Sequence, residues 1–222
     1  MDIGRGPQAV EGGDGPVDVR LAAQGADAEQ RVQAAETIVR ELLSPHIYGV
    51  EDEALESVLV HLLTERKATL ALAESCTGGC IAHRVTNVPG ASAILLAGLV
   101  TYSNAAKQKF LGVHADTLAR HGAVSEAVAR EMAEGARRQT QADYALSVTG
   151  IAGPGGGTPD KPVGTVFIAL AGPAGTAAKH HLNPFDRETF KQVTTQQALE
   201  LLRRQFLLDS GVVLPSPLPS SR

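Results

Sequence analysis

The chain has two cysteines, no run of lysine or arginine, and no apolar stretch approaching the roughly 18 residues that would span a bilayer. Each absence removes a class of function. Two thiols cannot staple a secreted scaffold, and Cys76 and Cys80 stand four apart on what reads as one helix, where fixed side-chain directions make an unstrained disulfide difficult. Reduced thiols are expected. A formal net charge of −4 with no basic cluster argues against a nucleic-acid groove or an anionic membrane surface as partner, and favours a small molecule. The first twenty residues are rich in glycine, proline and aspartate and do not resemble a signal peptide, so the expected location is cytoplasmic. Seven histidines lack the His-x-x-x-His or Cys-x-x-Cys spacing of a metal site, and His180-His181 on a strand would point to opposite faces. No metal and no cofactor are expected. The phosphate-loop ending Gly-Lys-Ser/Thr is also missing, as is Gly-x-Gly-x-x-Gly after the first strand.

What is present fits one globular domain with appendages. At 222 residues and 43% hydrophobic the chain can bury a full core, and its tails are too polar to join it. Residues 1–27 cannot gain enough burial to offset ordering entropy and read as a disordered tail. Residues 28–46 read as a helical linker, 47–208 as the domain, and 209–222 as a flexible tail. Apolar residues recur with helical period over 29–43 and 53–64, giving two amphipathic helices broken at Ser44-Pro45, whose faces suit a second copy as readily as their own sheet. Then the pattern alternates: strand 68–74, helix 77–87, strand 94–102, helices 104–110, 115–121 and 125–138, strands 143–149, 163–171 and 177–182, and a helix from about 187 to 207. Such alternation predicts a layered α/β sheet, with the last two strands joined as an antiparallel hairpin across Gly172-Pro-Ala-Gly175.

The most informative stretch is Ala71-Leu-Ala-Glu-Ser-Cys-Thr-Gly-Gly79, which sets nucleophile-type side chains between a buried strand and a glycine pair that opens a helix. Ser75 would lie in the crevice at the strand's carboxyl end, where open α/β sheets bind ligands. Amide N–H groups around Thr77, Gly78 and Gly79 would suit developing negative charge. In Val100-Thr-Tyr-Ser-Asn-Ala-Ala-Lys107 a strand ends in polar residues, and parallel pairing of the two strands would put Tyr102, Ser103 and Lys107 on the same sheet edge as Ser75. A desolvated lysine there could act as base toward the serine hydroxyl; a solvated helix lysine like Lys109 is the competing reading. The glycine-dense loop from Thr149 to Gly164 could form an anion nest or a plain connector. Cys76 reads either as a rival nucleophile or as a small buried thiol, with Ser75 ranked above it. Glu74 would orient Ser75 or Lys107, or cap amides near the helix start, and Ser125 would cap the helix that follows it.

Five motifs carry a resemblance: Glu74-Ser-Cys-Thr-Gly-Gly79, Thr101-Tyr-Ser-Asn-x-x-Lys107, His121-Gly-Ala-Val-Ser125, Thr149-Gly-Ile-Ala-Gly-Pro154 and Lys161-Pro-Val-Gly-Thr-Val166. In this order and spacing the chain, over roughly residues 47 to 208, resembles the CinA C-terminal family. The resemblance implies a three-layer α/β/α sandwich with a mixed, mostly parallel sheet. It also implies hydrolysis of the carboxamide of nicotinamide mononucleotide to nicotinate mononucleotide and ammonia, a step of pyridine-nucleotide salvage. It makes Ser75 the nucleophile and Lys107 its base, with Tyr102 in support. Substrate contacts are carried to Thr77, Gly78, Gly79, Ser92, Thr149, Gly150 and Arg187, and a homodimer is expected on the same ground. Before the last helix the sequence reads Asn183-Pro-Phe-Asp-Arg187 where the family usually shows Gly-Asp-Arg. A binding module of the same family, holding a nucleotide or a partner without turning it over, is the alternative.

Overall fold

The computed structural model describes residues 17–44 and 46–211. The tails expected at 1–27 and 209–222 lie largely outside the described residues; 17–27 carry neither helix nor strand, and the first helix begins at Ala28. Among the described residues, seven α-helices and five strands follow in chain order: α1 (Ala28–Leu43), α2 (Leu55–Glu65), β1 (Leu70–Glu74), α3 (Cys80–Thr86), a 3-10 turn (Ala91–Ala93), β2 (Leu95–Val100), α4 (Asn104–Leu111), α5 (Ala115–His121), α6 (Glu126–Thr140), β3 (Tyr144–Gly150), β4 (Thr165–Gly172), β5 (Gly175–Leu182) and α7 (Arg187–Asp209). No helix among the described residues is long and apolar enough to cross a membrane.

The strands form one sheet in the order β2-β1-β3-β4-β5. β1 pairs in parallel with both β2 and β3, while β4 runs antiparallel to β3 and to β5. Four strands therefore point one way and β4 the other, a mixed sheet in an α/β sandwich. The carboxyl ends of β1, β2 and β3 meet at one edge, with Glu74 beside Val100 on one side and Val148 on the other. That edge holds the candidate site.

The alternation Leu70-Ala-Leu-Ala73 explains the two layers. Strand side chains alternate in direction, so β1 sends Leu70 and Leu72 to one face and Ala71 and Ala73 to the other. On the bulky face Leu70, Leu72, Leu146, Ile168 and Leu170 pack with Leu59, Leu63, Ile81, Val85, Phe190 and Leu202 from α2, α3 and α7. Phe190 is fully buried there, worth about 1.5–3 kcal/mol relative to exposure. On the small face Ala71, Ala73 and Ala145 let α6 approach closely with Val128, Met132 and Ala136. α4 leans on α6 so tightly that a Cβ at Gly135 would fall 1.9 Å from the Leu111 carbonyl oxygen. α2 spends its apolar face on this core through Leu55, Leu59, Val60 and Leu63, whereas α1 buries no residue.

Two boundaries shift for physical reasons. α3 starts at Cys80, three residues later than its periodicity suggests, because Gly78 and Gly79 take φ of 64° and 99° and turn the chain before the helix begins. Cys76 therefore lies in the turn and not on the helix with Cys80, and both thiols are free. β5 starts at Gly175, since the hairpin is tighter than the expected 177 allows.

Candidate active site

Ser75 follows the last residue of β1 and is 8% exposed. Its carbonyl accepts from the Gly78 N–H at 3.1 Å, closing a tight turn whose left-handed glycines no larger residue would fill without strain. Lys107, on the second turn of α4, points back to this strand end. Ser103 caps α4 by accepting from the Ala106 N–H, so the helix starts at the sheet edge and aims Lys107 inward. Its Nζ lies 3.0 Å from Ser75 Oγ, and donates to the carbonyls of Thr101 at 2.8 Å and Tyr102 at 3.2 Å. Only 1% of Lys107 is exposed. No carboxylate among the described residues lies within ion-pair reach of it. Burial pulls its amine below the usual 10.5, with neighbouring Cys76 acting weakly in the opposite sense. The reading as a solvated helix lysine does not hold for Lys107.

Beneath the serine lies a group the sequence left ambiguous. Glu74 is fully buried, and its carboxylate accepts from Thr77 Oγ1 at 2.7 Å and from the N–H groups of Gly79, Ile81 and Ala82 at 2.9, 3.2 and 2.8 Å. It caps the start of α3 and does not reach Ser75 or Lys107. Consequently the Gly79 amide, expected to face a developing oxyanion, is already bonded to Glu74, and that of Gly78 is bonded to Ser75. The thiol of Cys76 is buried and pushed up to about 12, mostly by desolvation, although the amides of Cys76 and Thr77 bond to it. It stays protonated and is the small buried thiol, not a nucleophile.

Thr149 stands beside Ser75 at the end of β3, buried, its hydroxyl donating to the Ala123 carbonyl at 2.8 Å. This ties the sheet edge to the turn before α6, which Ser125 caps by accepting from the Val128 N–H at 3.3 Å. Gly150 continues the strand where a Cβ would lie 2.8 Å from the Thr165 carbonyl oxygen. The glycines that follow serve packing in the same way: a Cβ at Gly157 would meet the Val163 amide nitrogen at 2.7 Å, and one at Gly153 the Val163 side chain at 2.6 Å. Lys161 pins this loop by donating to the His121 carbonyl at 2.7 Å.

Arg187 is the first residue of α7, next to its cap Asp186, which accepts from the Glu188 and Thr189 N–H groups. The guanidinium donates to the Gly153 carbonyl at 2.9 Å and to the Tyr102 hydroxyl at 3.0 Å. Arg187 and Tyr102 thus bridge the glycine loop to the turn that leads into α4. Both partners are neutral, and a cation at the positive end of a helix is otherwise unfavourable. The charge stands open to an anion. Ser92 is different: exposed in the 3-10 turn Ala91–Ala93 before β2, it lies at the opposite end of the strands from Ser75 within the chain.

The stretch that carries Ser75, Lys107 and the motifs around them falls within a match to a known family. The sequence model of the CinA C-terminal domain fits residues 52–206. The chain belongs to this family. It is 50% identical over 187 residues to a CinA-like protein of Anaeromyxobacter sp. (strain Fw109-5), covering 84% of this chain and 46% of that one. Against a CinA-like protein of Geobacter metallireducens the figures are 48% over 194 residues, 86% and 47%. The chain thus spans about half the length of these curated relatives. Among solved structures, the competence/damage inducible protein CihA of Agrobacterium tumefaciens aligns at 41% identity with a TM-score of 0.64, over 67% of this chain and 92% of that chain. A CinA superfamily protein from Escherichia coli aligns at 33% identity and TM-score 0.67, over 73% and 98%.

Proposed function

We propose that this CinA-family domain is an amidohydrolase that cleaves the carboxamide of nicotinamide mononucleotide, giving nicotinate mononucleotide and ammonia. The observation that carries the reading is the 3.0 Å approach of a buried, carboxylate-free lysine amine to a serine hydroxyl. In its neutral form the amine gives two N–H bonds to the carbonyls of Thr101 and Tyr102, and its lone pair is left facing Ser75. Ser75 Oγ attacks the amide carbon while its proton passes to Lys107. The tetrahedral intermediate collapses as the lysine ammonium returns that proton to the departing nitrogen, releasing ammonia and leaving a seryl ester. Water, deprotonated by the same amine, then attacks the ester carbon; the acid leaves and Ser75 regains its proton. With the Thr77 hydroxyl and the Gly78 and Gly79 amides engaged, the positive charge nearest the oxyanion is the ammonium formed on Lys107. The open guanidinium of Arg187 takes the substrate phosphate, with Gly150 and the loop behind it and the Thr149 hydroxyl lining the approach. The domain acts in the cytoplasm, in nucleotide salvage.

Glu74's hold on the helix-start amides favours one competing reading, in which the crevice binds a nucleotide without turning it over. Ammonia release from nicotinamide mononucleotide by the wild type, Ser75→Ala and Lys107→Ala separates the two. Binding without ammonia establishes the competing reading; release that needs both side chains establishes hydrolysis.

A further inference from the structure

Tyr102 is tied to the candidate site at both of its ends. Its main-chain carbonyl accepts from the Lys107 amine at 3.2 Å, and its ring hydroxyl accepts from Arg187 at 3.0 Å. One residue therefore stands between the group that would take an anion and the group that would take a proton. The two carbonyls that orient the amine are held unequally. That of Thr101 is closer, at 2.8 Å, and belongs to a buried residue whose N–H is fixed to the Glu74 carbonyl. Tyr102 is 61% exposed, and its hydroxyl has no protein partner besides Arg187 among the described residues. The difference bears on where the lone pair points. With Thr101 alone as acceptor, either hydrogen of the neutral amine can make that bond, and the lone pair falls on Ser75 in one case and not in the other; the Tyr102 carbonyl, by taking the second hydrogen, removes the choice.

The donors left over at the other end suit one ligand. A guanidinium carries five N–H groups and a phenol one O–H. Arg187 spends one N–H on the Gly153 carbonyl and one on Tyr102, and the Tyr102 hydroxyl, an acceptor in that bond, keeps its own proton to give. No carboxylate among the described residues pairs with Arg187. N–H groups from both arms of the guanidinium and the Tyr102 O–H can thus converge on one tetrahedral dianion, through charge-assisted bonds roughly twice as strong as neutral ones. We infer that the substrate's phosphate activates the base as well as anchoring the substrate: a dianion held by Arg187 and the Tyr102 hydroxyl fixes the Tyr102 carbonyl on the Lys107 amine and keeps the lone pair aimed at Ser75. Tyr102 is a positioning residue in this, since its effect on the bond being broken passes through Lys107. The anion does this work whether or not it is covalently part of the substrate, so a free dianion activates a substrate that lacks one.

The inference rests on the amidohydrolase reading, and its test keeps the two apart. Nicotinamide riboside, which lacks the phosphate, is assayed for ammonia release with and without phosphite, a tetrahedral dianion, at matched ionic strength. The expected result is a saturable rise in kcat of about two- to tenfold, the worth of one hydrogen bond, with KM for the riboside little changed. In Tyr102→Phe, which keeps the ring and removes the O–H, and in Arg187→Ala, phosphite no longer changes the rate, whatever the basal rate is. A riboside rate that phosphite leaves unchanged or lowers in the wild type, or an activation that survives in Tyr102→Phe, overturns the inference. A second readout needs no turnover. In nitrogen NMR of isotopically labelled lysines, the Lys107 amine signal, assigned by its loss in Lys107→Met, should move with phosphite in the wild type and stay in place in Tyr102→Phe. Equal movement in both would mean that the anion acts through its field alone, and no movement in either that it does not reach the base; each overturns the coupling. A wild type that releases ammonia from neither the mononucleotide nor the riboside sinks the amidohydrolase reading and leaves the lysine signal to decide the coupling.

Discussion

Replacing Glu74 by glutamine tests how the nucleophile's turn is held. The carboxylate accepts four bonds, three on Oε2 and one on Oε1. An amide can keep the three only by turning its NH2 toward the Ala82 N–H, setting donor against donor. One buried N–H left without an acceptor costs about 1–3 kcal/mol, and the other bonds lose their charge assistance, roughly half their strength. Part of this is offset because a neutral amide is cheaper to bury than a carboxylate. The net expectation is a loss of about 2–4 kcal/mol for Glu74→Gln, and more for Glu74→Ala, which abandons all four donors. For a chain of this length that is roughly a 4–15 °C drop in Tm. Urea and thermal unfolding measure it, with an unchanged urea slope showing that stability and not the unfolded state has moved. Turnover should fall alongside, because the turn that presents Ser75 loosens. A loss under about 0.5 kcal/mol would refute the view that Glu74 organises this turn.

Four further outcomes are expected. Lys107→Met should stay folded within about 1 kcal/mol of wild type while turnover disappears, since it removes a costly buried amine along with the base; equilibrium unfolding and the ammonia assay together check this. Because burial lowers the Lys107 pKa below 10.5, the folded state holds fewer protons than the unfolded state between that lowered value and 10.5, so stability should rise with pH across this window and kcat/KM should climb as the amine deprotonates; a pH-independent kcat/KM from mildly acidic to alkaline conditions contradicts it. Cys76→Ala should retain activity, and the Cys76 thiol should resist aromatic disulfide reagents at pH 8, since it is pushed up to about 12. Gly135→Ala should lose at least about 3 kcal/mol, because its methyl would sit 1.9 Å from the Leu111 carbonyl oxygen and force α4 off α6; near-wild-type unfolding would show that the helices can part cheaply.

Much of the architecture was legible because its signals are local. The buried run that forms β1, the cap Ser125 and the short hairpin link at residues 173–174 each constrain a few neighbouring residues, and the elements form where those residues place them. The meeting of Ser75 with Lys107 was legible too, since parallel neighbours necessarily bring their carboxyl ends together. What could not be read depends on groups that find each other through the third dimension. A lone glutamate ending a strand gives no hint that it will be buried under four donors, and so the amides expected to be open turned out to be occupied. The glycines of 150–164 left an anion nest and a plain connector both open, and several are set by how closely the loop packs on itself and on β4. Arg187 beside Tyr102 follows from α7 starting at the same edge as α4, a fact of topology that no spacing records.

The phosphate contact has its own check. Arg187→Ala should raise KM for nicotinamide mononucleotide while leaving hydrolysis of the riboside, which lacks the phosphate, nearly unchanged; equal loss on both substrates would place the arginine in another role.

The central claim is tested most directly by following ammonia and nicotinate mononucleotide together, from pH 6 to 10, with the wild type and Ser75→Ala. The account predicts equimolar products, a rate that rises as the Lys107 amine loses its proton, and no turnover without the Ser75 hydroxyl. Full turnover by Ser75→Ala would contradict it.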